Sequence, residues 1–515
     1  MQKKPSDIKA NRCDAARHDA QMRAIRPLLL GEWADICVKR DGQDYYLTQS
    51  SGEFKPGMLI WHSRDLISWE PLSYAVPEFD GQIWTTDLVK DEGRWRGLFL
   101  SDWKCNHIVE AETPAGSWTR PRDWNVHADT IIAHGPDGER YAYHNGKTAS
   151  KLGSGLTVEE GPVEVYEGEP IPEEYPVECF CLEAPKMLYR EGWWHFMNAQ
   201  GGTFGPSTSH MIVSARSRDP FGPFENSPHN PIARTCSPDD PWWSIGHGEL
   251  VDTPDGHWFC IFHGYPRHNR WIGRSTLIAP VEWTEDGWYR FATEWPAAYD
   301  RPFRIGMPLS DDFTGATPGV QWQSFGPFDS SRYRVGDGEL RVKAPKEPFL
   351  SRRGHAVGYA GDSSAIHPGT SSPLTIQPRD LAYEVTVEIE ARGKARAGLG
   401  LFTRENEYIG EFVDADGAIT REQMKYRKYV YSGRPAHAGA SRVRLRIVQN
   451  QGDAGFFYYH DGGWRRITPG VIATMNQPQP YPVRPALFVV GEDGEGVFRN
   501  FTYRPLLSNW PGLLG

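Results

Sequence analysis

One pattern, repeated five times, constrains this sequence more than any other feature. Each copy opens on an acidic residue, runs through a short apolar segment to an acidic-Gly pair, and continues into an aromatic-rich segment. The first copy is Asp35-Ile36-Cys37-Val38, Asp41-Gly42 and Tyr45-Tyr46-Leu47. The others begin at Asp87, Asp129, Glu183 and Glu249, with Glu92-Gly93, Asp137-Gly138, Glu191-Gly192 and Asp255-Gly256 as their turns. Such a pair between apolar runs signals a hairpin, because a type I′ turn needs positive φ at both central positions. The acidic anchors lie 52, 42, 54 and 66 residues apart, which suits four-stranded blades of roughly 40–50 residues with loop insertions. Five units predict a five-bladed β-propeller over residues 28–305, the inner strand of each blade lining a central channel. If the copies superpose, all five anchor carboxylates point to one end of that channel.

The repeat stops near Arg301-Pro302. Beyond Leu309 the sequence alternates with period two, as in Leu381 to Glu390 and Val443 to Val448, the mark of strands with one buried face and hence of a β-sandwich. The expected chain is therefore all-β: a polar segment at 1–27, the propeller at 28–305, a jelly-roll sandwich at 309–508 and a tail at 509–515. The 53 Gly, 41 Pro and 13% aromatic content agree with many turns and short strands.

Other classes are excluded by charge and hydropathy. A net charge of −10 without a long basic block is unsuited to gripping nucleic acid. No run reaches the roughly 18–20 apolar residues of a membrane-spanning helix. Near the start the only apolar run is Leu28-Leu29-Leu30, short of the roughly 7–15 residues of a signal-peptide core, so a cytoplasmic location is expected, with secretion the alternative if a leader has been removed. The seven cysteines are odd in number and lack a Cys-x-x-Cys, which predicts buried free thiols rather than structural zinc.

Carboxylates gathered in an aromatic-lined channel suit glycoside hydrolysis, in which one acid protonates the leaving oxygen and another activates water. The same residues also fit strand-end caps, a central cation site, or a propeller that binds sugars without cleaving them.

Several of these segments carry a family resemblance. Gly31 to Ile36, His62 to Glu70, Ala128-Asp129-Thr130, Leu182-Glu183-Ala184-Pro185 with Gly201-Gly202-Thr203, Gly246 to Val251, and Gly273-Arg274-Ser275-Thr276 before Trp283 to Trp288 resemble glycoside hydrolase family 43. That family comprises inverting β-xylosidases, α-L-arabinofuranosidases and arabinanases. The resemblance implies Asp35 as general base, Glu183 as general acid, and Asp129 as the acid that tunes and orients Glu183. It also implies Trp84, His247 and Arg274 as substrate-binding residues, with Asp87 and Glu249 structural. In those roles Glu183 needs a raised pKa while Asp35 stays ionised, and an inverting pair is spaced about 6.5–9.5 Å apart. No cofactor is required and no site residue is assigned to a metal, although a structural calcium ion near His247 or in the sandwich is compatible with the resemblance.

This sequence departs from the family beside its acids: Asp35-Ile36-Cys37 and Asp129-Thr130-Ile131 replace Asp-Pro-Ser, and Lys186 replaces a histidine. The second domain, with Asp311-Asp312-Phe313 and Phe456 to Trp464, resembles the concanavalin A-like sandwich of family β-xylosidases. That implies an oligosaccharide substrate and release of terminal pentose, β-D-xylosyl ahead of α-L-arabinofuranosyl, with terminal galactofuranose or galactose as alternatives. The retaining fructan hydrolases of families 32 and 68 fit poorly, because Arg218-Asp219-Pro220 and Glu178-Cys179 stand in the wrong order and an Asn-Asp-Pro is missing.

Overall fold

The computed structural model describes residues 15–326, 328–345, 373–404, 407–425, 428–430, 436–467, 482–491 and 493–506. Most of the polar segment expected at 1–27 and the tail expected at 509–515 lie outside these residues. Within them the chain is all-β, a five-bladed propeller followed by a sandwich.

Blade one is built from Cys37–Asp41, Asp44–Thr48, Gly57–Ser63 and Ser68–Val76, and blade two from Trp84–Asp91, Arg94–Ser101, Cys105–Ala111 and Arg122–Trp124. Blade three takes Thr130–His134, Arg140–His144, Thr148–Leu152 and Val158–Glu164, and blade four Leu182–Arg190, Trp193–Gln200, Met211–Ser217 and Glu225–Asn226. Blade five contains Trp242–Asp252, Trp258–Pro266 and Ser275–Trp283, completed by Arg26–Leu29 from before blade one. That antiparallel pairing, Arg26 opposite Ile278, closes the ring by hydrogen bonds between its first and last parts.

Two of the five acidic-Gly pairs form the expected turns. Glu92-Gly93 and Glu191-Gly192 have φ of 49°, 76°, 50° and 77° and join residues paired across two-residue loops, as a type I′ turn requires. In blade one Gly42 alone of the pair Gly42-Gln43 has positive φ, at 65°. Asp137-Gly138 and Asp255-Gly256 sit in longer loops, closed by His134–Arg140 and Asp252–Trp258.

Facing blades bury shared apolar layers. Ile36, Leu47 and Trp69 of blade one meet Val251, Phe259 and Ile278 of blade five, while Cys37 and Ile60 meet Leu88 and Val109 of blade two. The preceding helix, Ala15–Ala24, inserts Met22 into the blade-five layer.

The sandwich packs a seven-stranded sheet on a nine-stranded one. The alternating run read in the sequence forms a strand at Ala382–Gly393, with Tyr383, Val385, Val387 and Ile389 buried. The two domains interpenetrate. Phe54–Lys55, from a blade-one loop, pairs with Trp322–Phe325 at the edge of the nine-stranded sheet, and Trp271 and Ile272, from a blade-five loop, lie in the sandwich core.

The expectation of buried free thiols holds for Cys37 and Cys260; Cys105 is free but only half-buried. The expectation fails for Cys179 and Cys181, which form a disulfide, and for Cys236, which is also disulfide-bonded. The Cα atoms of Cys179 and Cys181 are 5.2 Å apart, within bridging range despite a single intervening residue. No helix among the described residues is long and apolar enough to cross a membrane.

Candidate active site

Each inner strand carries a residue with positive φ at its mouth: Asp35 (56°), Thr85 (43°), Asp129 (52°), Ala184 (57°) and His247 (53°), with a second such residue in blade five at Ser244 (51°). Such a conformation costs a non-glycine residue about 1–3 kcal/mol and persists where packing enforces it. These kinks give the true register of the repeats, and they correct the expected ring of five carboxylates. Asp35 and Asp129 occupy the kink itself, and Glu183 immediately precedes it. Asp87 and Glu249 each follow it by two residues, so they lie deeper along the channel. A hydrophobic pattern resolves the strand but not a shift of one or two residues at its kinked end.

At the mouth, Asp35 is 6% exposed. Arg274 Nη1 donates to its Oδ1 at 2.9 Å, and His247 Nδ1 and His263 Nδ1 each lie 3.5 Å from the same oxygen. The Asp35 backbone N–H donates to His263 Nδ1 at 3.1 Å, which leaves the His263 proton on Nε2. Burial pushes both imidazoles down, His247 to about 3 and His263 well below its usual value, so both are neutral at pH 7. Burial alone would raise the Asp35 pKa, but Arg274, His247 and a hydrogen bond from Ser50 together outweigh it, Arg274 contributing most, and hold the carboxyl below its usual value.

Asp129 is in the opposite condition. It is 8% exposed, and burial lifts its pKa to about 7 even though the Ala184 backbone N–H donates to its Oδ2 at 2.6 Å. The neighbouring Glu183 and Asp35 carboxylates raise it further. Glu183 is the most open of the three, its side chain 37% exposed and its Oε1 3.3 Å from His210 Nε2. His210 is buried and stacks on His263 with ring centres 5.3 Å apart. The stack depends on Gly246, where an added methyl group would lie 2.0 Å from the His210 ring.

Of the residues expected to bind substrate, His247 and Arg274 stand against Asp35, as described. Trp84 lies one residue before the blade-two kink but is only 4% exposed: Trp103 stacks on its ring at 5.6 Å, and its Nε1 donates to Gln82 at 2.8 Å. Four participants were not singled out from the sequence, namely Glu32, Ser50, His210 and His263. Glu32 accepts from Arg274 Nε at 2.9 Å, Nη2 at 2.8 Å and the backbone N–H at 2.6 Å. An acid three residues before Asp35, in the opening motif, is the one sequence signal for it.

The segment spanning these residues settles the family. Residues 24–289 match the profile of glycosyl hydrolases family 43, a little over half of the chain. The chain belongs to that family. As a family 43 member it is a glycoside hydrolase. It is 29% identical, over 77% of its length and 74% of the relative's, to a non-reducing-end α-L-arabinofuranosidase of Bacteroides ovatus. It is 30% identical to a xylosidase/arabinosidase of Humicola insolens, over 51% of its own length and 54% of the relative's. A xylan β-1,4-xylosidase structure from Bacillus halodurans superposes with a TM-score of 0.80 at 22% identity, covering 93% of this chain and 99% of that one, and so shares its two-domain fold.

Deeper in the channel this family 43 chain holds a buried ionic cluster. Lys186 Nζ lies 3.5 Å from both Asp87 Oδ1 and Glu249 Oε2, and Lys39 contacts the same two acids. The opposite charges outweigh burial: Asp87 is held below its usual pKa, and both lysines above theirs. Family 43 enzymes generally need no cofactor. A calcium ion takes six to eight oxygen ligands, waters among them, and two clusters of donor groups along the channel offer it few protein oxygens. Cys37, Asp87 and Glu249 offer a thiol and already face two ammonium groups, while Asp35, His247 and His263 offer two imidazoles beside a guanidinium. Lys186 thus supplies within the channel the positive charge that Asp87 and Glu249 require.

Proposed function

We propose that the protein is an inverting, exo-acting glycosidase that releases terminal pentose, β-D-xylosyl or α-L-arabinofuranosyl, from plant-type oligosaccharides. Asp35 takes a proton from water, whose oxygen attacks the anomeric carbon as the bond to the leaving group breaks. Glu183 gives its proton to the departing oxygen, and Asp129 orients Glu183 through the Ala184 N–H. Arg274 and His247 border the sugar beside the base, and Trp84 forms part of the surrounding wall. No cofactor enters these steps.

The observation that carries this reading is the contrast between two buried carboxyls at one channel mouth. Arg274 holds Asp35 ionised, whereas Asp129, bonded to the residue after Glu183, is pushed up to about 7. A site that pushes paired carboxyls apart in pKa separates a base from the acid side of a reaction. Terminal pentose is supported by relatives named as a non-reducing-end α-L-arabinofuranosidase, a xylosidase/arabinosidase and β-xylosidases.

A panel of nitrophenyl β-xyloside, α-L-arabinofuranoside, β-galactofuranoside and β-galactoside tests the sugar, and proton NMR of the first-formed anomer tests inversion. Activity on neither pentoside, nor on xylo- or arabino-oligosaccharides, counts against the assignment. A retained anomer rules out single displacement by water. A sugar-binding propeller without catalysis is distinguished by Glu183→Gln, which would leave binding intact with no turnover to lose.

A further inference from the structure

The contact between the two domains converges on the segments that hold Asp35. Trp271 and Ile272, 2% and 0% exposed, are built into the sandwich core, and Val483 of the sandwich donates its backbone N–H to the Trp271 carbonyl at 2.8 Å. Gly273 and Arg274 follow directly. On the other segment stands Gly31, at φ 118°, where an added methyl group would lie 2.7 Å from Gln377 Nε2 and 2.8 Å from the Pro378 carbonyl oxygen. Gln377, also from the sandwich and 3% exposed, donates to the Ile272 carbonyl at 3.3 Å. One sandwich side chain therefore touches the residue before Glu32 and the residue two before Arg274.

Glu32 and Arg274 complete the connection. The Glu32 carboxylate takes three hydrogen bonds from Arg274, including one from its backbone N–H, which fixes both the guanidinium plane and the chain that bears it. Nη1 is thereby aimed at Asp35 Oδ1. Arg274 is 3% exposed; its Nε and Nη2 donate to Glu32, and Nη2 also reaches Asp35 Oδ2 at 3.4 Å. A fork held this way has little rotational freedom left to lose when substrate binds.

We propose that Glu32 and Gln377 are positioning residues for the base, holding Arg274 against Asp35, so that the docked sandwich domain supports the geometry of water activation. This rests on Asp35 being the base, as proposed above. The charged and titratable groups facing Asp35 are Arg274, His247, His210, His263, Glu32 and Tyr265, with Asp129 beyond. Those facing Glu32 are Arg274, Asp35, Tyr265 and the sandwich residue Arg484.

The test uses the full chain with Glu32→Gln and Gln377→Ala. Glu32→Gln keeps the shape but removes the charge that shares Arg274, so Asp35 should ionise more readily. The acid limb of kcat/KM is expected to move down by about half a pH unit. A misaligned base should lower kcat about tenfold or more with KM changed less than about threefold. Gln377→Ala, made outside the pocket, should lower kcat about threefold or more with KM and the acid limb unchanged. The Asp35 titration can also be read without turnover, by carboxyl NMR of carbon-13 aspartate-labelled protein, its signal identified by loss in Asp35→Asn. Hydrolysis by the parent enzyme reports on the functional reading alone, and the variant-to-parent differences report on the positioning role alone. If both variants keep kcat and the Asp35 titration of the parent while only the melting temperature falls, the positioning role is overturned. If Glu32→Gln does not fold, Gln377→Ala decides: an unchanged kcat overturns the role of the sandwich.

Discussion

Asp129 binds the backbone of the residue after Glu183, its Oδ2 accepting the Ala184 N–H at 2.6 Å. Ala184 itself is in the left-handed region, at φ 57°. The carboxyl of one blade thus fixes the kink that presents the proposed acid of the next. Asp129→Asn retains an oxygen able to accept from Ala184 but carries no charge to influence Glu183. We expect kcat/KM to fall about 100-fold on natural oligosaccharides. Substrates whose leaving group needs no proton, such as dinitrophenyl glycosides, should lose far less. Equal losses on both would separate Asp129 from leaving-group protonation.

The same carboxyl should leave a mark on stability. Burial raises the Asp129 pKa from 3.8 to about 7, so between those values the folded protein holds a proton that the unfolded chain has released. Stability is then fully present below the unfolded pKa and is lost as pH rises toward the folded one, by on the order of 4 kcal/mol at the upper bound. Asn cannot ionise and escapes this loss. In denaturant titrations, the stability of Asp129→Asn relative to the parent should grow from pH 4 to pH 7 and then level off. A difference independent of pH would mean that the native carboxyl titrates as in the unfolded chain.

Arg274 should set the acid side of the activity profile. It is the fixed charge bonded to Asp35, whose other polar neighbours His247 and His263 are neutral at pH 7. Arg274→Met removes the largest of the groups that oppose burial, so the Asp35 pKa should rise and the acid limb of kcat/KM should move to higher pH by about one unit or more. The direction is opposite to that expected for Glu32→Gln. An acid limb that stays in place would assign it to another group.

The architecture was legible because its signals are local. An acidic-Gly pair specifies a turn by its own backbone demands, and period-two alternation marks a strand such as Ala382–Gly393 whatever lies across from it. The depth of each carboxylate was not legible. Asp87 and Glu249 share the repeat motif with Asp35, but the kinks at Thr85 and His247 each come two residues before them. Only backbone geometry reveals that offset. Glu32, His210 and His263 escaped notice for a different reason: their partners Arg274, Glu183 and Asp35 come from remote segments, and Glu32 and Arg274 are 242 residues apart. The disulfide between Cys179 and Cys181 is not legible in the sequence, because a single intervening residue is not a spacing that signals pairing.

Lys186 offers the sharpest test of how the channel is held together. Its ammonium is 4% exposed and lies 3.5 Å from each of two buried carboxylates, Asp87 and Glu249. Lys39 also contacts both acids, but its side chain is 27% exposed and so more screened by solvent. Lys186→Met keeps the volume and removes the charge, leaving two buried anions to share one half-exposed cation. Breaking a buried ionic cluster in this way typically costs about 3–5 kcal/mol, because the unpaired charge stays behind. The penalty belongs to the stranded anion rather than to the lost contact. Lys186→Met/Asp87→Asn should therefore be more stable than Lys186→Met alone, even though it carries one more substitution. Chemical denaturation of the parent, the single variant and the double variant checks this. If the double variant is the less stable of the two, Lys186 acts through packing rather than charge.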